Sequence, residues 1–303
     1  MSNGMTAVSK VDAKVTLNAL LIDDPKVSAL KTGSVSSSIL NFKFPSDKDG
    51  YRKLARGTTY ECGDLPIGAY LQARSYGKSL SLMPVVITGR FHHDAIFYNP
   101  ARGSIRPEDL EGRRIGVNAY THTSGIWIRG MLEDEYGLDL SRVEWVTMSD
   151  GYLDEYRDPA NCRRAGAETT LLQLLLDGGV DAAVLGSAAA KDERLKPLFP
   201  DPAAAAQAWY QKYGVAPMNH MLVVQKSLCQ SRSDVVSEIY RLFVESKRVA
   251  QPAVQPFDPT PYGIDANRKA LELLMSYAAR QKIIPRAFGV DDLFSDVSDA
   301  LDS

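Results

Sequence analysis

Between Leu110 and Leu132 the chain passes from a short apolar run, Arg113 to Val117 behind Gly112, through a polar turn into Ile128, Met131 and Leu132 at helical spacing. A strand feeding a helix through a tight turn commits this part of the chain to an α/β unit. The turn runs from Asn118 to Ser124 and holds five hydrogen-bonding side chains in succession: Tyr120, Thr121, His122, Thr123 and Ser124. They stand where the first N–H groups of a helix have no partner within it, and such a helix start attracts anions. The plainer reading is that Thr123 or Ser124 only caps the helix. The density of polar groups favours a ligand site.

The same alternation extends in both directions. Before the turn, Lys14–Leu21, Ile39–Phe44, Leu80–Ile87 and Ala95–Tyr98 read as strands, with helices over Pro25–Lys31, from Tyr51 to Arg56, and from Pro66 to Tyr76. After it, Val143–Thr147, Val180–Leu185 and Asn219–Val224 read as strands, and Thr169 or Thr170 caps a helix ended by Gly178-Gly179. Ala203–Tyr213 is helical, as are the two long C-terminal segments Val235–Val249 and Ala266–Gln281, while Pro252 to Pro261 carries four prolines and is expected as an extended loop. Strands alternating with helices predict an α/β protein with mostly parallel sheets flanked by helices. The expected division is one lobe from 14–97 plus 220–303, a second from 98–219, and a disordered 1–13.

A chain of 303 residues is long enough for two such domains. With 35 basic and 37 acidic residues nothing recommends a nucleic-acid or membrane-surface partner. Cys62, Cys162 and Cys229 are an odd number at wide spacing, which supports neither a disulfide framework nor a zinc site. The N-terminal apolar run Ala19–Ile22 is stopped by Asp23 and Asp24, too short for a signal peptide. A cytoplasmic protein is expected, and a homo-oligomer is left open.

Several blocks together resemble the 4,5-dihydroxyphthalate decarboxylase family. They are Gly-Val-x-x-Tyr-x-x-Thr before Trp127-Ile128-Arg129-Gly130 and Glu135-Tyr136-Gly137, then Arg90-Phe91-His92-His93, Gly178 to Ala183, Pro217-Met218-Asn219-His220, and Tyr262-Gly263-Ile264 to Gln281. The likeness covers roughly Val85 to Phe294; it departs from the family pattern at His92-His93-Asp94, where Arg-His-Ser is expected, and at the loosely matching Glu61-Cys62-Gly63-Asp64. The resemblance implies a two-lobed fold of the type 2 periplasmic-binding-protein kind, with a ligand cleft between the lobes. It also implies loss of CO2 from a hydroxylated aromatic carboxylate such as 4,5-dihydroxyphthalate, without a cofactor. The rival function is a non-catalytic solute-binding component of an uptake system, and a third is a biosynthetic enzyme of the same fold acting on another carbon skeleton.

Such a reaction needs an acid at the ring carbon that bears the departing carboxylate and a base at a phenol, and histidine suits both. The chain has four histidines, His92, His93, His122 and His220, all within the matching blocks. His93 is expected as the proton donor, with His220 and Asp64 as further catalytic candidates and His92 facing away from His93 by strand alternation. Arg90 is expected to hold the retained carboxylate through its planar two-pronged guanidinium. Tyr120 to Ser124, Arg129, expected at solvent, and Gly186-Ser187 complete the substrate-binding candidates. Adjacent histidines on a strand diverge, and no His-x-His or paired-carboxylate spacing accompanies them, so no metal is expected.

Overall fold

A computed structural model describes residues 14–251 and 257–301. The expected disorder of 1–13 and the prolines of 252–256 lie outside the described residues. Strand and helix alternate through β1 (Val15–Leu20), α1 (Pro25–Thr32), β2 (Leu40–Lys43), α2 (Gly50–Ala55), β3 (Cys62–Pro66), α3 (Ile67–Ser75) and β4 (Leu80–Gly89). α1 shows the local logic. Asp24 accepts the Lys26 N–H, Pro25 occupies the first turn, and Gly33 ends the helix at φ 77°.

The middle of the chain supplies β5 (Ile96–Tyr98), β6 (Arg114–Val117), α4 (Thr123–Tyr136), β7 (Glu144–Thr147), β8 (Cys162–Arg164), α5 (Leu171–Asp177), β9 (Ala182–Val184), β10 (Lys196–Pro197) and α6 (Pro202–Tyr213). Then come β11 (Met218–Gln225), α7 (Lys226–Ser231), α8 (Ser233–Ala250), α9 (Ile264–Arg280), α10 (Val290–Phe294) and α11 (Ser298–Leu301).

Two sheets result, ordered β2-β1-β3-β11-β4 and β10-β5-β9-β6-β7-β8. The expected mostly parallel sheets are present, each with one strand that runs against the rest. β1 pairs in parallel with β2 and β3, and β6 with β7 and β9, but β11 runs antiparallel to both β3 and β4. β5 likewise runs antiparallel to β9. The antiparallel members are the strands that arrive from the other sheet. β5 already belongs to the second sheet, so the outgoing crossing runs through residues 90–95 rather than after Tyr98.

A strand over Cys62–Pro66 stands where the sequence suggested none. It is buried along its whole length between β1 and β11. α4 is held from two directions. The Trp127 indole N–H donates to the Met218 carbonyl at 2.8 Å, and a β-carbon at Gly130 would overlap the ring of Tyr277 on α9, so the absence of a side chain there lets the two helices meet. Among the described residues no helix is long and apolar enough to cross a membrane.

Candidate active site

The chemistry-bearing groups gather where β3 ends and β11 begins, against the starts of α3 and α4. In the antiparallel β3–β11 pair, His220 lies opposite Pro66 and Leu222 opposite Asp64. Asp64 and His220 are therefore diagonal neighbours on one face of the sheet, within reach of each other. His220 Nδ1–H donates to Asp64 Oδ2 at 2.5 Å. The same oxygen accepts the Tyr51 hydroxyl at 3.1 Å, and Oδ1 accepts the Ile22 backbone N–H at 2.6 Å. Asp64 is wholly buried, while the His220 side chain keeps 17% of its exposure. Burial, reinforced by the Asp64 charge, holds the Tyr51 phenol far above its ordinary pKa, so it stays a donor. The imidazole is thus fixed at one nitrogen, leaving Nε2 for a ligand.

Two helix starts converge beside this pair. α4 begins with His122 as its N-cap, whose side chain makes no capping bond, and its first intrahelical bond is Ile126 N–H to the His122 carbonyl at 3.1 Å. Thr123, Ser124 and Gly125 therefore offer N–H groups outside the helical ladder. Thr123 does not cap α4. Its Oγ1 accepts the Gly68 N–H of α3 at 3.1 Å and so ties the two helix starts together. Gly68 permits the approach, since a β-carbon there would lie 2.7 Å from Ile126 Cδ1 and 3.1 Å from the Thr121 carbonyl. His122, partly buried, has its pKa lowered by burial first and then by the nearby His220 and Arg129 charges. The shift favours its neutral imidazole form.

A third histidine joins through a bulge. On β11, Met218 is opposite Gly89 and His220 opposite Thr88, so two residues face one and Asn219 is the extra residue. Its side chain is turned out of the sheet pattern. Asn219 Oδ1 accepts His92 Nε2–H at 2.8 Å, and Asn219 Nδ2 donates to Ser124 Oγ at 3.4 Å. His92 is completely buried and its pKa falls to about 3, from burial first and the Arg90 charge second.

The remaining candidates are not brought to this cluster. His93, expected as the proton donor, is buried among Phe199, Phe91 and Trp209, with ring centroids at 5.1, 6.5 and 6.5 Å. Desolvation lowers its pKa to about 4. Arg90 pairs with Asp94 at 3.2 Å. Gly186 and Ser187 form a turn after β9, with Gly186 at φ 86° and Ser187 exposed. Arg129, expected at solvent, is instead fully buried: side chains on a helix lean toward its N-terminus, and this one reaches back beneath the turn. Its guanidinium donates to the Tyr120 carbonyl at 2.5 Å and to Gln281 Oε1 at 2.8 Å, and lies 4.0 Å from the centre of the Tyr120 ring. Gln281 in turn donates to the Ile126 carbonyl at 2.9 Å. Arg129 and Tyr120 therefore shape the turn from below. Thr121, also buried, packs against Gly151.

Tyr51 and Tyr152 are site residues that the sequence did not single out. Tyr51 stands edge-on to His220, with centroids 5.4 Å apart, and Tyr152 packs on Tyr51 at 6.3 Å. Among the described residues no group of three or more His, Cys, Asp or Glu side chains is arranged to hold a metal ion.

Solved structures share the fold. The alkanesulfonate-binding protein SsuA of Xanthomonas axonopodis pv. citri superposes with a TM-score of 0.60 at 12% identity, covering 94% of this chain and 99% of that one. A DSZB variant in complex with biphenyl-2-sulfinic acid gives 0.57 at 15% identity, covering 96% and 99%. No family model matches the chain. The 4,5-dihydroxyphthalate decarboxylase of Comamonas testosteroni is 29% identical over 251 residues, covering 77% of this chain and 76% of that protein. The enzyme of the same name from Pseudomonas putida is 30% identical over 183 residues, covering 56% of this chain and 70% of its own length. With the fold and these two relatives in agreement, the chain belongs to the 4,5-dihydroxyphthalate decarboxylase family.

Proposed function

We propose that the chain decarboxylates a hydroxylated aromatic carboxylate such as 4,5-dihydroxyphthalate, in a cleft between two lobes built on the two sheets. The observation that carries this reading is the Asp64–His220 pair, one nitrogen committed to a buried carboxylate and the other beside two helix starts. The N–H groups of Thr123, Ser124 and Gly125 suit a carboxylate, which gains from the helix dipole and from donors already oriented. A planar ring anchored there meets His220 on one side and neutral His122 on the other.

Protonated His220 donates its Nε2 proton to the ring carbon that bears the departing carboxylate, forming a C–H bond. The C–C bond to the carboxylate then breaks, its electron pair returns to the ring, and CO2 leaves as a neutral molecule. His220 is left as neutral imidazole and takes its next proton from solvent. Asp64 stabilises the imidazolium and fixes its orientation, as a buried carboxylate does for a catalytic histidine. His122 accepts from a ring hydroxyl, so that phenol oxygen can feed electron density to the carbon being protonated. His220 takes the role that the sequence suggested for His93, and Arg90 at the rim is left to steer the incoming anion. The three cysteines are unpaired, as in a reducing compartment, and cytoplasmic action is part of the proposal.

The test is to incubate the pure protein with 4,5-dihydroxyphthalate and with singly hydroxylated benzoates and phthalates while CO2 is measured. Release of one CO2 per ring supports the reading. Saturable binding of these acids without any CO2 would replace it with the solute-binding function that the shared fold also serves.

A further inference from the structure

We propose that Tyr152 is a substrate-contacting residue delivered to the site by a salt-sensitive latch. The loop 149–158, which leaves β7 of the second sheet, closes over Tyr51 and His220 when its carboxylates engage basic residues beside the first sheet. The inference rests on the decarboxylase reading for what lies under the loop, and on the contacts below for the latch itself.

The loop reaches away from its own sheet. Arg56, at the end of α2, donates to both oxygens of Asp154 at 2.7 Å and to the Tyr152 carbonyl at 3.4 Å. Arg52 adds a longer pair to Asp154 at 3.7 Å, and Lys78, in the turn after α3, pairs with Glu155 at 2.5 Å. All these groups stay partly exposed, Asp154 at 73%. Exposed pairs are individually weak and are screened by salt, so a closure that depends on them is reversible. On the inner side, a β-carbon at Gly151 would lie 2.8 Å from Thr121 Oγ1, so the loop rests on the turn that starts α4. The loop's own residues, Asp150, Asp154 and Tyr156 among them, wall a cavity of ≈ 430 Å³ that Arg52 closes from α2. Tyr152 is the aromatic side chain that this arrangement sets over the Tyr51 ring, one ring away from His220. A flat aromatic acid held at the α4 start would meet it, whereas an aliphatic acid would gain little.

The experiment compares the wild type with Arg56→Gln, with the exchanged pair Arg56→Asp plus Asp154→Arg, with Gly151→Ala, and with Tyr152→Phe and Tyr152→Ala. CO2 release from 4,5-dihydroxyphthalate is followed from low salt to about 0.5 M NaCl, where the Debye length has fallen to about 4 Å and exposed pairs are weakened. Wild-type KM should rise with salt. Arg56→Gln should raise KM about fivefold at low salt, the size of one good exposed pair, with kcat within about twofold and the salt dependence flattened. The exchanged pair should recover part of that loss. Tyr152→Ala should raise KM by about tenfold, as loss of one aromatic contact allows, and Tyr152→Phe, which keeps the ring, should recover most of that loss. Amide exchange of residues 150–156, read by mass spectrometry without substrate, should quicken in Arg56→Gln, in Gly151→Ala and at high salt. A KM independent of salt together with unchanged exchange in Arg56→Gln would overturn the latch. Equal KM for Tyr152→Ala and wild type would overturn the contact. If the wild type releases no CO2, the decarboxylase reading fails, and the exchange measurement still decides whether the loop is latched.

Discussion

Replacing Asp64 by Asn tests the proposed chemistry at its most constrained point. The carboxylate accepts from Ile22 N–H, Tyr51 Oη–H and His220 Nδ1–H, and it is fully buried. An amide of the same shape can satisfy Ile22 with its oxygen, but its NH2 group then faces the Tyr51 and His220 donors. A hydrogen bond to a charged group contributes roughly 1.5–3 kcal/mol, so losing the one to His220 alone corresponds to about thirtyfold in rate. The imidazole also swings to the other tautomer to escape the donor, which leaves Nε2 in the wrong state to pass on a proton. General acid–base contributions are about 10²–10⁴, and a fall in kcat of about 10²–10³ is expected for Asp64→Asn. KM should change little, because Asp64 lies beneath His220 and does not face the helix starts that would hold the carboxylate. The assay is initial-rate CO2 release from 4,5-dihydroxyphthalate for Asp64→Asn, His220→Gln and the double variant, with folding checked by circular dichroism. If the two act as one unit, the double variant should be no worse than the poorer single one. A folded Asp64→Asn protein with kcat within about threefold of wild type would refute the assignment, and strictly additive losses would separate the two residues.

Further outcomes follow from the buried groups. His92 and His93 stay neutral in the fold, with pKa values lowered to about 3 and about 4, while the unfolded chain takes up their protons near the ordinary histidine value. Stability should therefore be full above pH 6.5 and decline as pH falls below it, by about 1.4 kcal/mol per pH unit for each histidine; urea unfolding from pH 7 to 5 should show this slope, and a flat profile would refute it. His93→Phe, placed in the same aromatic cluster, should keep near-normal kcat and make that slope shallower; loss of kcat in a folded variant would return the proton-donor role to His93. Arg129→Met should cost about 2–4 kcal/mol by leaving the Tyr120 carbonyl and the Gln281 amide oxygen unpaired in the interior. Unchanged urea midpoints would contradict it. Gly130→Ala should cost about 1–3 kcal/mol by driving a methyl group into Tyr277, and a variant as stable as wild type would show that α4 and α9 can part at no cost.

The fold was legible where periodicity or punctuation carries it. α4, with its stop at Gly137 in the left-handed region, and α5, capped by Thr170 and ended by Gly178, stand where the sequence puts them. β3 escaped notice because it is buried on both faces and short, so Cys-Gly-Asp-Leu-Pro has no alternation to display. β8, Cys162–Arg164, is an edge strand whose two arginines read as loop, although charge is what protects such an edge. In the site, His92 and His93 lie in the turn between β4 and β5 and not on a strand as expected, so alternation has no bearing on which of them meets Asn219 and which meets Phe199 and Trp209. That choice belongs to the packing of distant elements. The Asp64–His220 pair depends on the β3–β11 register across 156 positions, and Tyr51 and Tyr152 reach the site from a helix and a loop that carry no motif.

The place of β11 within its sheet bears on the order in which the protein can be made. β3 and β4 leave a ribosome early, but the strand that lies between them begins only at Met218, well over a hundred residues later. Until then, neither can complete its ladder, and two lengths of apolar strand edge await a partner. The second sheet draws all its strands from one uninterrupted stretch, from Ile96 to Pro197, and needs nothing that follows it. Domains usually form from the N-terminus forward as they emerge. Here the segment made first finishes last, so nascent chains lacking β11 carry the unpaired edges that a chaperone must shield, and the site at the junction comes into being only when that strand is threaded home.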